Sequence, residues 1–386
     1  MRIAVYGGSF NPPHLGHVEA AKSVCRQLSP DKLYIIPTST PPHKELEADS
    51  PDGEERLCLC RLAFADIPCA EFSDMEIKRG GRSYTSDTLD ALRQQFPDAE
   101  LFLVVGTDMF LSFRTWHCYQ HIFTLCTVCV LARESDDRDE ICDFAAELEQ
   151  EGARVRILRH EPLEMSSTEI REKLRMGLGC DMLPDAVYRR IIRLRHYGAE
   201  PELPWLREQA LDYLSPNRVA HTAGCESEAV QLAMRWGENP ERAAVAGILH
   251  DVTKKPDFDT QLKLCEKYGI ILDETEKHSP QLLHARTGAA LAKDEFGVPD
   301  DVADAIRWHT TGKPDMTLLE KIIYLADIIE PNRDYEGVEE LRELAYEDID
   351  RAMGRALEIS LESIRRRNIV PHTDTIEACL WYNRPE

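Results

Sequence analysis

The 386-residue sequence lacks the features of a membrane-bound or secreted chain. No apolar run approaches the roughly 18 residues that a helix needs to cross a bilayer. No charged and apolar signal peptide opens the chain. Acidic residues outnumber basic ones by 69 to 46, giving a formal net charge of −23, whose field repels nucleic acid and anionic membrane surfaces. We therefore expect a cytoplasmic protein with no nucleic-acid or membrane partner.

Cysteines are present but lack paired spacing. The twelve are scattered along the chain, as is usual in a reducing compartment. The single Cys-x-x-Cys, Cys126 to Cys129, lies inside the apolar run 123–131, which predicts a buried strand. We therefore expect neither disulfides nor a zinc or redox pair at this position.

Length and pattern predict two domains. In the first half, apolar strands at 3–5, 32–37, 100–106, 126–131 and 153–158 alternate with helical segments. This alternation favours a doubly wound, Rossmann-like α/β domain with a parallel sheet, over residues 1–197. A Pro- and Gly-containing stretch at 198–204 predicts a linker. From residue 205 to 386 helical periodicity replaces the strand signal, which predicts an all-α domain.

A glycine pair and two histidines follow the first strand. Gly7-Gly8 would let the backbone turn, and Pro12-Pro13 would start a helix whose N-terminus faces an anion. His14 and His17 would share one helix face and donate hydrogen bonds to a phosphate chain. The residues of this predicted phosphate cradle are Gly7, Gly8, Ser9, Phe10, His14 and His17.

The stretch Tyr6 to His17 resembles the signature of the HxGH nucleotidyltransferases. Ser83-Tyr84-Thr85, Asp87-Thr88, Gly106-x-Asp108 and Trp116 further resemble bacterial nicotinate-nucleotide adenylyltransferases. The resemblance implies that Thr85 and Trp116 bind nicotinate mononucleotide, and that Gly106 and Asp108 contact ATP. Helix capping explains the segment 83–88 equally well on its own.

The segment Met165 to Arg171 offers hydroxyls and a guanidinium at a predicted helix start. Ordinary capping again explains the hydroxyls, but Ser167, Thr168 and Arg171 match the family's triphosphate-binding segment. The implied reaction is attack of the mononucleotide phosphate on the α-phosphorus of ATP, with Mg²⁺ on the phosphates. His14, His17, Lys44 and Arg171 would position and neutralise them. Transfer to another phosphorylated acceptor, such as phosphopantetheine, is the alternative.

Histidines and aspartates interrupt the apolar helices of the second half. His250-Asp251 ends one apolar run and Asp327 lies inside another, where an unpaired carboxylate is costly. Their order resembles that of the HD-domain metal-dependent phosphohydrolases. The resemblance implies a dinuclear site, bridged by the catalytic Asp251, of iron or another transition metal such as manganese or zinc. The implied ligands are His221, His250, Asp251, His284, His309 and Asp327.

Three longer segments, 283–285, 305–312 and 324–333, resemble the bacterial HD-family symmetrical diadenosine tetraphosphatases. That family is associated with iron and cuts its substrate into two ADP. It implies that Lys254, Arg286 and Arg333 face phosphate, although on the sequence alone ordinary surface charge explains each of them better. The alternatives are hydrolysis of another nucleotide, such as guanosine tetraphosphate, and a regulatory metal- or nucleotide-binding module without turnover.

Overall fold

The structure, a computed structural model, describes residues 1–40, 47–132, 138–161 and 163–384. The chain divides into two compact units, Met1–Glu200 and Pro201–Glu386, here named the sheet unit and the helical unit. None of the helices formed by the described residues has the length and apolar composition of a membrane span.

One parallel sheet organises the described part of the sheet unit. Its strands are β1 (Arg2–Gly8), β2 (Lys32–Pro37), β3 (Ala70–Phe72), β4 (Glu100–Gly106), β5 (Thr127–Ala132) and β6 (Val155–Arg159). They lie in the order β3-β2-β1-β4-β5-β6, and each neighbouring pair is parallel. In β1, Ile3, Ala4 and Val5 are all buried, as expected for a strand covered on both faces. The predicted doubly wound α/β class is confirmed.

Helices occupy the connections between these strands and follow the last one. They are α1 (Leu15–Leu28), α2 (Gly53–Ala63), α3 (Met75–Arg79), α4 (Thr85–Gln95), α5 (Thr107–Leu111), α6 (Tyr119–Leu125), α7 (Arg138–Gln150), α8 (Ser167–Arg175) and α9 (Asp185–Leu194). Two expectations need correction. Pro12-Pro13 does not start α1, because the helix begins at Leu15 with His14 as its N-cap. Strand β3 was not predicted, since three half-exposed residues carry no alternation pattern.

The helical unit contains only helices and connecting turns among its described residues. The helices are α10 (Leu203–Leu211), α11 (Val219–Trp236), α12 (Pro240–Leu249), α13 (Phe258–Lys267), α14 (Pro280–Phe296), α15 (Asp300–Trp308), α16 (Leu318–Ile329), α17 (Val338–Glu347), α18 (Ile349–Arg366) and α19 (Thr373–Tyr382). The all-α prediction is confirmed. The last helix, α19, buries only Thr375 and Ala378, which is too few for a visible apolar stripe.

Helices α11 and α12 approach each other closely at a glycine. A Cβ on Gly247 would stand 2.8 Å from the Glu226 Cα, which belongs to the backbone of α11. That contact cannot be relieved by a rotamer change, so the two helices would have to separate. The same pair of helices carries His221 in α11 and leads directly into His250 after α12. The glycine therefore sets the spacing of two predicted metal ligands.

We expect Gly247→Ala to destabilise the helical unit by about 1–3 kcal/mol, the usual cost of overpacking a core. Chemical denaturation followed by circular dichroism measures this loss. Gly288→Ala is the matched control, because its Cβ would meet no atom closer than 3.3 Å: the Thr253 hydroxyl at 3.3 Å, the His250 carbonyl oxygen at 3.5 Å and Ile306 Cγ2 at 3.6 Å. Equal stability of the Gly247 variant and the wild type would contradict the proposed helix spacing.

Candidate active sites

The turn after β1 is made by Phe10 rather than by the glycines. Gly7 and Gly8 belong to β1, whereas Phe10 has a φ of 43°, in the left-handed region. A Cβ on Gly8 would lie 3.3 Å from the Phe10 ring, and that ring is 1% exposed. The predicted turning role of the glycine pair is therefore wrong. Gly8 instead leaves room for the buried aromatic ring that holds the turn.

Three carbonyl groups of the following loop are held from behind by side-chain donors. The Ser9 oxygen accepts from Arg56 Nη1 at 2.7 Å, and the Asn11 oxygen accepts from Arg171 Nη1 at 2.8 Å. The Pro12 oxygen accepts from Ser167 Oγ at 3.1 Å. Because these donors bind the negative ends of the peptide dipoles, the carbonyls are kept from repelling a bound anion.

His14 and His17 lie side by side at the start of α1. Their ring centroids are 3.7 Å apart, and the His14 N–H donates to His17 Nδ1 at 3.2 Å. A neutral His17 therefore carries its hydrogen on Nε2, which is free to act as a donor. A Cβ on Gly16 would stand 3.1 Å from the His14 ring, so this glycine lets the ring lie against the helix.

Burial keeps both imidazoles neutral. It lowers the pKa of His14 to about 4. Burial, followed by repulsion from His14, holds the pKa of His17 well below its ordinary value. At neutral pH the pair can therefore donate hydrogen bonds to phosphate, but it carries no charge.

Arg171 is buried behind the cradle; its two Nη groups already have protein acceptors, whereas its buried Nε has none among the described residues. Besides Asn11, its guanidinium donates to the Ser167 carbonyl oxygen, to Thr168 Oγ1 and to Glu47. Hydrogen bonds from Arg171 and Arg175 lower the pKa of the Glu47 carboxyl to about 2. A triphosphate contact by Ser167, Thr168 and Arg171 stays a prediction. Lys44 lies outside the described residues.

The predicted mononucleotide residues lie near the carboxyl edge of the sheet. Thr85 is the first residue of α4, and no side chain caps that helix, so the capping explanation of this segment is not realised. The Trp116 ring stacks on Phe113 with centroids 4.7 Å apart, and its buried Nε1 has no hydrogen-bond partner in the described structure. Gly106 and Asp108 are exposed where β4 passes into α5. The binding roles of these residues stay predictions.

Four histidines of the helical unit direct the same ring nitrogen, Nε2, into one cluster. Each has its Nδ1 bonded to an acceptor: His221 to Glu330 Oε1 at 3.1 Å, His250 to the Gly247 oxygen at 2.7 Å, His284 to the Gln281 oxygen at 2.6 Å, and His309 to the Ile306 oxygen at 2.6 Å. The three carbonyl oxygens and the ionised Glu330 carboxylate can only accept, so a neutral ring at each position carries its hydrogen on Nδ1. The Nε2 lone pair is then available to a metal, which is the usual arrangement of metal-binding histidines.

Asp251 lies between two pairs of these nitrogens. Its Oδ2 is 3.5 Å from His250 Nε2 and 3.7 Å from His221 Nε2. Its Oδ1 is 3.3 Å from His284 Nε2 and 3.7 Å from His309 Nε2. Asp327 joins the first pair, with its Oδ1 at 3.1 Å from His221 Nε2. The structure thus brings together all six residues predicted as metal ligands.

The chemistry of this cluster fits a divalent metal. Asp251 is 1% exposed, and neither carboxylate oxygen has a hydrogen bond of good geometry within the described residues, although Arg218 Nη1 lies 3.0 Å from Oδ2 and Lys254 Nζ lies 3.3 Å from Oδ1. Burial would raise its pKa, but the neighbouring histidines, with His250 foremost, hold the pKa far below its ordinary value. A buried, ionised carboxylate surrounded by imidazole nitrogens is a donor set for cations of the first transition series.

Cys225 joins the cluster although sequence reasoning missed it. Its buried Sγ lies 3.6 Å from His221 Nε2, within a group that also contains His250 and Asp327. The signal was available, because residues four apart on α11 share a face of the helix. A second residue that the sequence analysis missed is Glu330, whose carboxylate accepts a hydrogen bond from His221 Nδ1.

The predicted phosphate-facing cations divide into two groups. Lys254 Nζ lies 2.9 Å from His284 Nε2, and Arg333 Nη2 donates to Asp327 Oδ1 at 2.6 Å. Arg218, which was not predicted, has its Nη1 3.0 Å from Asp251 Oδ2. Arg286 is not brought to the cluster, because its Nη1 is bonded to Glu276 at 2.6 Å. The phosphate-facing role of Arg286 stays a prediction.

A third group of possible ligands contains Asp273, Glu276 and His372. His372 Nε2 and Asp273 Oδ2 are 2.7 Å apart, and Arg286 neutralises Glu276. Since these groups satisfy one another, we assign the cluster a structural role in joining the start of α19 to the segment before α14.

A cavity of about 980 Å³ adjoins the metal cluster. Thr310, whose Oγ1 lies 3.2 Å from His309 Nε2, and Arg333 line the cavity near the cluster. Tyr335 and the α18 residues Arg355 and Ile364 line other parts of it. Guanidinium, hydroxyl, aromatic and aliphatic groups together suit a nucleotide, and the volume is at the upper end of typical ligand sites.

Comparison with known proteins identifies a separate family for each unit. Residues 5–173 match the cytidylyltransferase-like family, and residues 218–332 match the HD domain family. A Geobacter sulfurreducens protein named "Probable nicotinate-nucleotide adenylyltransferase" is 35% identical over 214 residues, which cover 51% of this chain and 99% of the relative. The Bacillus subtilis protein named "Bis(5'-nucleosyl)-tetraphosphatase, symmetrical" is 40% identical over 182 residues, covering 45% of this chain and 96% of the relative.

A solved structure is also similar to the chain. It is that of a predicted HD superfamily hydrolase involved in NAD metabolism from Clostridium acetobutylicum, with 35% identity, coverage of 48% of this chain and 98% of that chain, and a TM-score of 0.46. The Geobacter and Bacillus relatives confirm the two family resemblances. The chain therefore belongs to two enzyme families: its first part to the nicotinate-nucleotide adenylyltransferases of the cytidylyltransferase-like family, and its second part to the HD-domain hydrolases that include the symmetrical bis(5'-nucleosyl)-tetraphosphatases.

Proposed function

We propose that the chain is bifunctional. Its sheet unit transfers the adenylyl group of ATP to nicotinate mononucleotide, giving nicotinate adenine dinucleotide and pyrophosphate in NAD biosynthesis. Its helical unit hydrolyses diadenosine tetraphosphate to two ADP. The names of the Geobacter and Bacillus relatives support these substrates.

The observation that carries the first activity is the pair of neutral histidines at the N-terminus of α1. An oxygen of the mononucleotide phosphate attacks the α-phosphorus of ATP, and pyrophosphate leaves in line. No covalent enzyme intermediate is needed, so catalysis consists of positioning and charge stabilisation. His17 Nε2 donates to phosphate oxygens, and the helix N-terminus adds its positive end. Mg²⁺ on the triphosphate would supply further neutralisation.

The acceptor is proposed from the aromatic and hydroxyl groups at the carboxyl edge of the sheet. Trp116 is a flat ring already stacked on Phe113, and its unpartnered indole N–H can donate to a carboxylate. Thr85 at the start of α4 adds a hydroxyl donor and the backbone donors of a helix N-terminus. These groups favour the acid form of a pyridine ring over the long, flexible arm of phosphopantetheine.

The observation that carries the second activity is the Asp251 carboxylate between two histidine pairs. His221, His250 and Asp327 would hold one metal ion and His284 and His309 the other, with Asp251 shared. A metal pair in such a site lowers the pKa of bound water and neutralises the phosphate under attack. Arg333 and Lys254 border the carboxylates and can bind the outer phosphate oxygens of the substrate.

Turnover is favoured over a purely regulatory role by the adjoining cavity. It places Thr310 and Arg333 in one continuous space with the face of α18, which gives a long substrate room beyond the metal cluster. A dinucleoside polyphosphate has two nucleoside ends. Symmetrical cleavage requires the metal pair to lie over the central phosphates, with one nucleoside extending into this space.

Replacing His17 by alanine tests the adenylyltransferase assignment. We expect kcat for dinucleotide synthesis to fall by about 10²–10³, because a preorganised donor to the reacting phosphate is lost. Coupled detection of pyrophosphate measures the rate with ATP, Mg²⁺ and nicotinate mononucleotide. His121→Ala is the matched control, since this histidine is exposed and paired with Asp90 on the surface. Unchanged kcat in the His17 variant would refute its role.

Chromatography of the products tests the hydrolase assignment. With iron or manganese loaded, the full chain should convert diadenosine tetraphosphate to ADP alone, because water attacks a central phosphorus. Asp251→Ala and Asp327→Ala should abolish this reaction and leave dinucleotide synthesis unchanged. Asp273→Ala, in the third cluster, should retain both activities.

AMP together with ATP as products would exclude symmetrical cleavage. Absence of turnover in the metal-loaded wild type would favour the regulatory module. Turnover of guanosine tetraphosphate in preference to the dinucleotide would transfer the assignment to another nucleotide.

A further inference from the structure

The sheet unit contains a buried cation, Arg56, that has no role in the reaction proposed above. Arg56 lies on α2, and its side chain is 1% exposed. Its Nη1 donates to the Ser9 oxygen at 2.7 Å, and its Nη2 donates to the oxygens of Thr38 and Ser39 at 2.7 and 3.2 Å. All these acceptors are neutral. Within the described residues no carboxylate forms an ion pair with this guanidinium.

A buried guanidinium that lacks a counter-ion is costly, so its position needs a reason. Two of its acceptors belong to loops that edge the ATP site: Ser9 is in the cradle, and Thr38 directly follows β2. An anion bound in the cradle would supply the missing negative charge, because only the peptide backbone of the cradle would separate it from Arg56. A triphosphate is the anion that the proposed reaction brings to this place.

The same side chain connects the cradle to the segment that precedes Thr85. Because a peptide's N–H points opposite to its C=O, Arg56 at the Thr38 oxygen turns the Ser39 N–H outward. That N–H donates to Ser83 Oγ at 3.0 Å, and the Ser83 N–H donates to the Thr40 oxygen at 3.1 Å. Arg56 thus fixes the distance between the two proposed substrate subsites through one peptide and one serine.

We infer that Arg56 is a positioning residue of the adenylyltransferase site: its charge is completed by the polyphosphate of ATP, and its planar fork holds the cradle in register with the mononucleotide segment. The inference rests on the proposed function of the sheet unit. It separates two properties of the side chain. The charge serves ATP, whereas the fork serves the alignment of both substrates.

Two substitutions separate the effect of the positive charge of Arg56 from the effect of its planar guanidinium group. Arg56→Ala removes both, and we expect the ATP dissociation constant to rise about tenfold or more, as for loss of a charge-assisted hydrogen bond. Arg56→Lys keeps the charge, so ATP binding should be largely retained while KM for nicotinate mononucleotide rises. Arg61→Ala is the control, because this arginine of the same helix is exposed and stacks over the Phe72 ring.

Calorimetric titration with ATP, steady-state kinetics and rescue by millimolar guanidinium are the measurements. Guanidinium should restore ATP binding to Arg56→Ala and leave Arg61→Ala unaffected.

An unchanged ATP dissociation constant in Arg56→Ala, with only a lower unfolding temperature, would overturn the inference. If that variant does not fold, wild-type values of both constants in Arg56→Lys would overturn it as well. Failure of the wild type to make dinucleotide would refute the proposed function, while ATP titration would still test Arg56.

Discussion

The buried carboxylate of Asp251 is the constraint on which the helical unit depends. Asp251 is ionised in the interior, where Arg218 and Lys254 lie within ion-pair distance and four imidazole nitrogens lie within 3.7 Å, a donor set that fits a metal cation. The histidine Nδ1 atoms are fixed by carbonyls and by Glu330, and Gly247 brings α11 and α12 close enough for His221 and His250 to meet. Helix packing, ring orientation and metal binding are therefore parts of one arrangement.

The sheet unit shows the complementary arrangement, with buried cations behind an anion site. Arg56 and Arg171 hold the carbonyls of Ser9 and Asn11, and the neutral histidines lie at the start of α1. The site can thus offer N–H donors and positive potential while the carbonyl dipoles point into the protein.

Local sequence patterns were sufficient to predict the fold and the central residues of both candidate sites. Alternating apolar strands predicted the parallel sheet, and polar ligands inside apolar helices predicted the metal cluster. Contacts formed only by the tertiary fold were not readable: Arg56 and Arg218 look like ordinary helix-surface or turn cations until the chain is folded. The hydrogen bond between Arg286 and Glu276 is another tertiary contact that the sequence did not reveal. The turn at Phe10 was hidden by two more conspicuous glycines.

The shared role of Asp251 is the central claim, and anomalous diffraction from manganese-loaded crystals tests it most directly. Two manganese peaks about 3.5–4 Å apart are expected, the usual separation in two-metal sites. One should contact His221, His250 and Asp327 and the other His284 and His309, with one oxygen of Asp251 on each. A single peak, or two peaks of which only one contacts Asp251, would contradict the account.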